Sequence, residues 1–408
     1  MNEWPSACRR LRVVFALLAC GIAALASGHE TLGLDAPKPD LAATPPMGWN
    51  SWNKFGCDVD EAIVRRQADA MAASGLAAAG YRYIVIDDCW QGSRDADGNI
   101  EADARRFPGG IRALAEYVHA KGLKFGLYSD AGSLTCGGRP GSAGREFQDA
   151  RRYAQWGVDY LKYDWCHTGS RDAEAAYTIM ARALRESGRD IVLSICEWGT
   201  SHPERWGPTV GHLWRTTGDI YDAWQGHRDW SSGMTDILDL QVDAWRHSGP
   251  NRWNDPDMLE VGNGGMTTTE YESHFSLWAM LAAPLIAGND LSAMSADTLR
   301  ILANRDVIAV DQDALGQQAR RLWKEGDLEI WARPLKGGDL AVVLFNRGQS
   351  PAAMKVTWEQ LNLPARSKVE VTDLWSKKRI RNVGDGYGDI VAPHGVLMLR
   401  LAAKPLAT

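Results

Sequence analysis

Several features are missing from this 408-residue sequence, and each absence excludes a class of protein. No run of basic residues occurs and the formal net charge is −6, so nucleic acid is not expected as a partner. No H-E-x-x-H or C-x-x-C spacing is present, so a zinc hydrolase is disfavoured and no metal or other cofactor is predicted. The G-x-S-x-G motif that is typical of α/β serine hydrolases is also missing.

The sequence also lacks a convincing membrane-spanning run. Near the N-terminus, three arginines precede the apolar stretch Val13–Ala19, and residues 24–26 resemble a signal-peptidase site. We therefore predict an export signal over residues 1–26, no transmembrane span in the mature protein, and a secreted or periplasmic location. Residues 17–20 also resemble a lipoprotein processing site, which leaves a lipid anchor at Cys20 open. Residues 27–43 are polar and are predicted to be a linker.

The middle of the chain alternates strand-like and helix-like segments. Eight such repeats within residues 44–317 predict a (β/α)₈ barrel. A doubly wound open sheet is the alternative, but no glycine-rich nucleotide motif follows the first strand. The predicted strands are Met47–Trp52, Tyr81–Asp87, Lys124–Ser129, Tyr160–Asp164, Ile191–Cys196, Leu213–Thr217, Arg252–Asp255 and Leu285–Ala287. The predicted helical segments include Asp60–Ala73, Ile111–Ala120, Phe147–Trp156 and Asp172–Ser187.

Residues 318–408 have a different pattern. Short alternating runs are separated by Gly, Asn, Asp and Pro, which is typical of a small antiparallel β domain. The predicted strands here are Leu328–Trp331, Leu340–Phe345, Lys368–Val371 and Val396–Leu401.

Polar and aromatic residues follow most of the predicted barrel strands. Because a barrel brings the carboxyl ends of its strands to one face, where barrel active sites lie, these residues are expected to share one site. The site would be rich in carboxylates, Trp and Tyr, which suits glycoside cleavage by a pair of carboxyl groups. Lys162 lies two residues before Asp164 on one strand, so both side chains project from the same face. Its charge is expected to favour the ionised form of Asp164, as a nucleophile requires.

Seven segments carry a resemblance to a known family. TPPMGWNSW, YIVIDDCW, GLKFGLYSDAG, YLKYDWC, CEWG, WRTTGDI and WNDPDML occur in the order and spacing of glycoside hydrolase family 27, the melibiase family. The similarity covers about residues 44–400. It implies a (β/α)₈ barrel with a C-terminal β-sandwich and a retaining exo-α-galactosidase that acts on α-galactosides.

The resemblance also implies roles for individual residues. Asp164 corresponds to the nucleophile and Asp219 to the acid/base. The motifs place the remaining contacts around galactose. Asp87 and Asp88 correspond to ligands of the outer hydroxyls, Lys162 to a ligand of the 3- and 4-hydroxyls, Glu197 and Arg215 to the 2-hydroxyl region, and Trp52, Tyr128 and Asp257 to the pocket wall.

Five cysteines lie beyond the export signal, in a chain expected to meet an oxidising environment. The members of each proposed pair follow neighbouring strands, so we predict the disulfides Cys57–Cys89 and Cys136–Cys166 at the barrel mouth. In animal members of the family, the cysteine of the CEW motif pairs with a position that is Gly211 here. Cys196 is therefore expected to be an unpaired, buried thiol.

Other functions stay open at this point. Within the family, α-N-acetylgalactosaminidase, β-L-arabinopyranosidase and isomaltodextranase are alternatives; Glu197 argues against the first and the Asp87–Asp88 pair against the second. Outside enzymes, a non-catalytic carbohydrate-binding protein is the alternative, although it would not need both Asp164 and Asp219. The sequence does not indicate an oligomeric state.

Overall fold

The computed structural model describes residues 40–364, 367–381 and 384–404. The predicted export signal, including Cys20, and most of the predicted linker lie outside these residues. Within the described part of the chain, no helix combines the length and the hydropathy needed to cross a bilayer.

Eight parallel strands form the first sheet, and all eight were predicted from the sequence. In chain order they are β1 (Met47–Asn50), β2 (Tyr83–Val85), β3 (Lys124–Asp130), β4 (Tyr160–Asp164), β5 (Val192–Cys196), β6 (Leu213–Arg215), β7 (Trp253–Asp255) and β8 (Leu285–Ala287). Their spatial order is β7-β6-β5-β4-β3-β2-β1-β8. Leu259, just after β7, forms a parallel bridge with Ala287 of β8, which joins the two ends of the sheet. The predicted barrel-type fold is confirmed.

Helices follow the strands and cover the outside of the sheet. Two of them begin where an aspartate caps the first turn: Asp60 accepts from the Ile63 amide at 2.7 Å, and Asp172 accepts from the Ala175 amide at 2.9 Å. The helices are Trp52–Phe55, Glu61–Ala73, Leu76–Ala79, Gly110–His119, Glu146–Trp156, Ala173–Glu186, Pro203–Val210, Met234–Leu240, Thr268–Leu281, Ala296–Leu302 and Arg305–Asp311.

The amino ends of the strands are closed by a small apolar cluster. Tyr83 of β2 and Tyr160 of β4 pack with ring centroids 5.4 Å apart, and Trp253 of β7 is fully buried beside them. The indole of Trp253 donates to the Ala42 carbonyl at 2.7 Å, so the end of the predicted linker packs against the base of the barrel. With this end filled, the opposite end remains for the site.

The C-terminal strands form two antiparallel sheets. They are β9 (Arg320–Glu325), β10 (Leu328–Pro334), β11 (Leu340–Asn346), β12 (Ala352–Thr357), β13 (Lys368–Asp373), β14 (Arg379–Ile380), β15 (Gly386–Val391) and β16 (Val396–Lys404). The six-stranded sheet has the order β9-β10-β11-β16-β13-β14, and β12 pairs with β15. Side chains from both sheets, including Val342, Val356 and Val391, share one core, as the predicted β-sandwich requires.

The helix Thr268–Leu281 connects the two parts of the molecule. Its residues are almost all buried because one face packs on the barrel and the other contacts the C-terminal strands. The hydrogen bonds that cross the contact include Ser273 Oγ to the His394 carbonyl at 2.6 Å, Trp375 Nε1 to Ser276 Oγ at 2.9 Å, and Arg333 Nη1 to the Ala279 carbonyl at 2.8 Å.

Candidate active site

A cavity of about 680 Å³ opens at the carboxyl ends of the barrel strands. Seven of the ten predicted catalytic and substrate-binding residues line it: Trp52, Asp87, Asp88, Tyr128, Lys162, Asp164 and Asp219. Arg215 and Asp257 instead border a small void of about 20 Å³, which Lys162 also lines. Glu197 borders neither space.

Asp87 and Lys162 form a buried ion pair. Lys162 Nζ lies 2.8 Å from Asp87 Oδ2, and Asn50 Nδ2 donates to the same oxygen at 2.7 Å. Burial alone would lower the pKa of Lys162, but the carboxylates around it, led by Asp87, raise that pKa well above its usual range. Lys162 is therefore a fixed positive charge within the cavity.

Asp88 is held rigidly by backbone amides. Its Oδ1 accepts from the Cys89 amide and its Oδ2 accepts from the Gly137 amide, both at 2.6 Å. A side chain at Gly137 would approach Cys89 Sγ to 2.7 Å, so the close approach of this loop requires glycine. Burial raises the pKa of Asp88 despite these bonds.

Asp164 lies at the end of β4, inside the barrel. Burial raises the pKa of Asp164 to about 6, while the charge of Lys162 and a hydrogen bond from Tyr128 act to lower it. Lys162 therefore acts in the direction expected from the sequence, but burial outweighs it. A carboxyl poised near pH 6 is ionised at neutral pH and keeps more basicity than an exposed aspartate.

Arg215 joins two further carboxylates. Its Nη2 lies 3.0 Å from Asp219 Oδ1 and 3.0 Å from Asp257 Oδ2. The side chain of Asp219 is 29% exposed and lines the cavity, whereas the side chains of Arg215 and Asp257 are almost completely buried. Burial raises the pKa of Asp257, and Arg215 opposes that shift. Asp219 is thus the member of this cluster that reaches the cavity.

Comparison with known proteins agrees with this geometry. The model of a family described as Alpha galactosidase A matches residues 44–313, and the model described as Alpha galactosidase C-terminal beta sandwich domain matches residues 325–401. The chain belongs to the melibiase family, glycoside hydrolase family 27. The family predicted from the sequence motifs is confirmed, and the chain is a glycoside hydrolase.

Several relatives match over most of their length. Alpha-galactosidase A of Cellvibrio japonicus is 50% identical over 379 residues, which covers 89% of this chain and 93% of the relative. Alpha-galactosidase of Cyamopsis tetragonoloba is 52% identical, with coverage of 82% and 80%. The crystal structure of alpha-galactosidase I from Mortierella vinacea superposes with a TM-score of 0.86 at 40% identity, covering 89% of this chain and 98% of that one.

Glu197, a residue of the family's CEW motif, is engaged with its own loop. Its Oε1 accepts from the Gly199 amide at 2.9 Å, and its Oε2 accepts from Thr200 Oγ1 at 2.8 Å and from the Ser201 amide at 2.6 Å. The side chain is completely buried, and Thr200, not Glu197, lines the cavity. The carboxylate thus turns back into its own loop in this structure, and its contact with the 2-hydroxyl region stays a prediction.

Four residues that line the cavity were not among the predicted site residues. Gly218 directly precedes Asp219, and the other three are Trp198, Thr200 and Trp230. Trp198 lies in the turn after β5 and has a left-handed backbone conformation with φ of 62°. All three lie in loops beyond the strand ends, where sequence patterns do not fix side-chain directions. One feature of the sequence could have identified the two tryptophans: they belong to the Trp residues that lie beside Gly, Asn or Asp in loop-like segments.

The structure contains both predicted disulfides, Cys57–Cys89 and Cys136–Cys166. The second one forms part of the cavity wall. Cys196 is a buried free thiol, as expected. Asp130, Cys136 and Cys166 lie close enough to share a metal ion, but the two sulfur atoms are bonded to each other and so are not thiolate ligands.

Proposed function

We propose that this chain is a retaining exo-α-galactosidase that hydrolyses terminal α-linked galactose from oligosaccharides or galactosides. The observation that carries the proposal is that Asp164 and Asp219 line one cavity together with the Asp87–Lys162 pair. The names of the relatives support the α-galactosidase activity. The differing surroundings of the two carboxyl groups support their different roles.

In the first step, Asp164 attacks the anomeric carbon and the bond to the leaving oxygen breaks. Asp219 gives its proton to that oxygen, and a covalent galactosyl ester forms on Asp164. In the second step Asp219 removes a proton from water, the water oxygen attacks the anomeric carbon, and the ester bond breaks. Two inversions give net retention.

The environments of the two aspartates suit these roles. Asp164 is buried beside Lys162, whose charge favours the ionised nucleophile. Asp219 is partly exposed at the cavity, where it can meet both the leaving group and the incoming water. Arg215 holds Asp219 through a 3.0 Å contact and fixes the direction of its carboxyl group.

Galactose recognition is assigned to the buried polar groups of the cavity. Asp87, Asp88 and Lys162 would bind the hydroxyls remote from the bond that breaks, and Trp52 would pack on the apolar face of the ring. Arg215 and Asp257 border the neighbouring small void. They would affect the 2-hydroxyl region indirectly, by positioning Asp219. No cofactor enters this scheme.

The stereochemistry of the first product tests the mechanism. NMR of the reaction with an aryl α-galactoside should show α-galactose before mutarotation, and β-galactose as first product would contradict the assignment of Asp164.

The two carboxyl groups should be about 5–5.5 Å apart, since inverting enzymes need about 6.5–9.5 Å. Asp164→Ala should abolish turnover. Asp219→Ala should retain glycosylation by substrates with very good leaving groups, and azide should accelerate its second step.

Substrate identity is tested by rates measured side by side. Initial rates on aryl α-galactoside, α-N-acetylgalactosaminide and β-L-arabinopyranoside distinguish the proposed activity from its two closest alternatives, and we expect the first to be the highest. A chain that binds galactose without hydrolysing any of the three would instead be a carbohydrate-binding protein.

We also propose that the protein is exported, which both disulfides support.

A further inference from the structure

His394 occupies a turn position that favours glycine or asparagine. The turn formed by residues 392–395 joins β15 to β16, and the Gly395 amide donates to the Ala392 carbonyl at 3.0 Å. His394 follows Pro393 and has a left-handed backbone conformation with φ of 55°. In turns with proline at the second position and a positive φ at the third, glycine or asparagine is preferred at the third. Backbone preference alone therefore does not account for a histidine here.

The side chain of His394 reaches from the C-terminal domain to the barrel. Its Nδ1 lies 2.6 Å from Glu270 Oε1, on the helix Thr268–Leu281. Its ring stacks on the indole of Trp224, with ring centroids 4.5 Å apart and planes inclined by 12°. Only 18% of the His394 side chain is exposed. The carboxylate of Glu270 thus orients an imidazole whose flat face covers a tryptophan of the barrel.

Trp224 ends a short segment that begins with Asp219, the proposed acid/base. We call residues 219–224 the acid/base segment. In its middle, the hydroxyl of Tyr271 lies 2.9 Å from both carboxylate oxygens of Asp222. Because Tyr271 belongs to the helix that also orients His394, the middle and the end of the segment rest on the same support.

The C-terminal domain encloses the indole of Trp224. His394 stacks on one face, and the ring of Phe345, in β11, approaches edge-on with its centroid 5.7 Å away. The barrel holds the main chain of the same residue, since the amide and the hydroxyl of Thr235 each donate to the Trp224 carbonyl at 2.9 Å. Loss of the stacked ring would therefore loosen the end of the acid/base segment without unfolding it.

We propose that His394 is a positioning residue for Asp219, because its stack on Trp224 holds the acid/base segment in the orientation that proton transfer requires. This rests on the proposed function, in which Asp219 protonates the leaving oxygen. A general acid must lie within hydrogen-bond distance of the atom that it protonates, and a displacement of about 1 Å can lower a rate about a hundred-fold. The C-terminal domain thus contributes to catalysis through this contact, although barrel residues line the cavity.

The test uses two aryl α-galactosides whose leaving groups differ in their need for a proton. A 2,4-dinitrophenolate leaves readily without one, whereas a 4-methoxyphenolate requires protonation. His394→Asn keeps a residue that adopts the left-handed conformation but removes the ring. This variant should lower kcat/KM about ten-fold on the 4-methoxyphenyl substrate and less than about two-fold on the dinitrophenyl substrate.

A second variant removes the same contact from the barrel side. Trp224→Leu should cause the same selective loss on the 4-methoxyphenyl substrate. The double variant should be no worse than the more affected single variant, because both changes break one contact. If the two losses instead multiply, the residues act independently and the proposal is overturned.

Gln349→Ala is the matched control. Gln349 Nε2 lies 2.8 Å from His394 Nε2, but its side chain is exposed and is not part of the stack. Its replacement should leave both values of kcat/KM unchanged. Equal losses on both substrates in His394→Asn, or no loss on either, would overturn the proposal.

Asp219→Ala separates this inference from the proposed function. If it also lowers both substrates equally, Asp219 is not the acid, and the proposed mechanism fails together with this inference. If Asp219→Ala is selective for the 4-methoxyphenyl substrate and His394→Asn is not, only the role of His394 is wrong.

Discussion

Lys162 has two roles in the structure, and only one of them was predicted from the sequence. It pairs with Asp87 at 2.8 Å, and its charge lowers the pKa of Asp164 against the effect of burial. The ion pair with Asp87 was not predicted. The i, i+2 spacing of Lys162 and Asp164 indicates only that these two side chains project from the same face of the strand. Which carboxylate lies nearest depends on the neighbouring strands.

Replacing Lys162 by Met should move the acidic limb of the pH profile to higher pH. Asp164 must be ionised to attack, so activity is lost as pH falls through its pKa, which is about 6. Without the cation that pKa rises, so kcat/KM at pH 5 should lie further below its plateau than the roughly ten-fold drop expected of the unaltered protein. The measurement is kcat/KM against pH. Lys124→Met, at the opposite end of the barrel, should leave the limb in place; an unmoved limb in Lys162→Met would disprove the coupling.

The loop held by Glu197 should determine access at the sugar's 2-position. Thr200→Ala enlarges the cavity, and Glu197→Ser removes the carboxylate that fixes residues 199–201. Together they should raise the ratio of N-acetylgalactosaminide to galactoside kcat/KM by about ten-fold. Ser201→Ala is the control, since Ser201 also binds Glu197 but does not line the cavity. If the double variant keeps the original ratio, the 2-position is recognised elsewhere.

Among the elements, the barrel strands were the easiest to predict. Residues of β4 and β5 are buried on both faces and read as short apolar runs ending in polar residues, and both were located within one residue. Four C-terminal strands, β9, β12, β14 and β15, were missed. Of these, β12 and β15 pair with each other, and their sequences, AAMKVT and GYGDIV, interrupt the apolar residues with Lys, Gly and Asp; much of their surface faces solvent.

The two disulfides allow the effect of a crosslink on stability to be separated from its effect on activity. Their sequence separations are 32 and 30 residues, so loop-closure entropy predicts a similar stabilisation of about 2–4 kcal/mol each. Only Cys136–Cys166 lines the cavity. Replacing either pair by serines should lower Tm similarly, whereas kcat/KM should fall markedly only for the second pair. Equal losses of activity would contradict this.

A chemical count checks the pairing itself. Protein that lacks residues 1–26 should show one free thiol per chain when denatured without reductant, from Cys196. Five thiols would mean that neither bridge forms.

For the whole molecule, buried carboxyl groups should favour the folded state at mildly acidic pH. Burial raises the pKa of Asp130 and of Glu260 to about 8, and that of Asp255 to about 6. Each of these carboxyl groups keeps its proton in the folded protein at pH values where the unfolded chain, with pKa values near 4, has released it. Each group's contribution to the free energy of unfolding is therefore complete below about pH 4 and is lost as pH rises through 6 to 8. The opposing groups are His212 and His274, whose pKa values burial lowers to about 4 and about 3.

The histidine contribution is lost as pH falls below about 6.5, where the unfolded chain takes up protons. Because the three carboxyl groups outweigh the two histidines at these pH values, Tm should decrease from about pH 5 towards pH 9. Glu260→Gln should reduce this slope, because the amide does not titrate, and the exposed Glu186→Gln should not. Thermal unfolding at a series of pH values measures both. A Tm that rises from pH 6 to 9 would contradict the expectation.

The helix Thr268–Leu281 has a consequence for synthesis of the protein. Its outer face is covered by strands that include β16, which begins about 115 residues after the helix ends and lies in the middle of its sheet, between β11 and β13. At about 5–20 residues per second, the ribosome needs roughly 6–23 s to deliver that strand. Until then the apolar helix can be covered only in part, by β10 and β11. We therefore expect the newly made chain to require a chaperone during this interval.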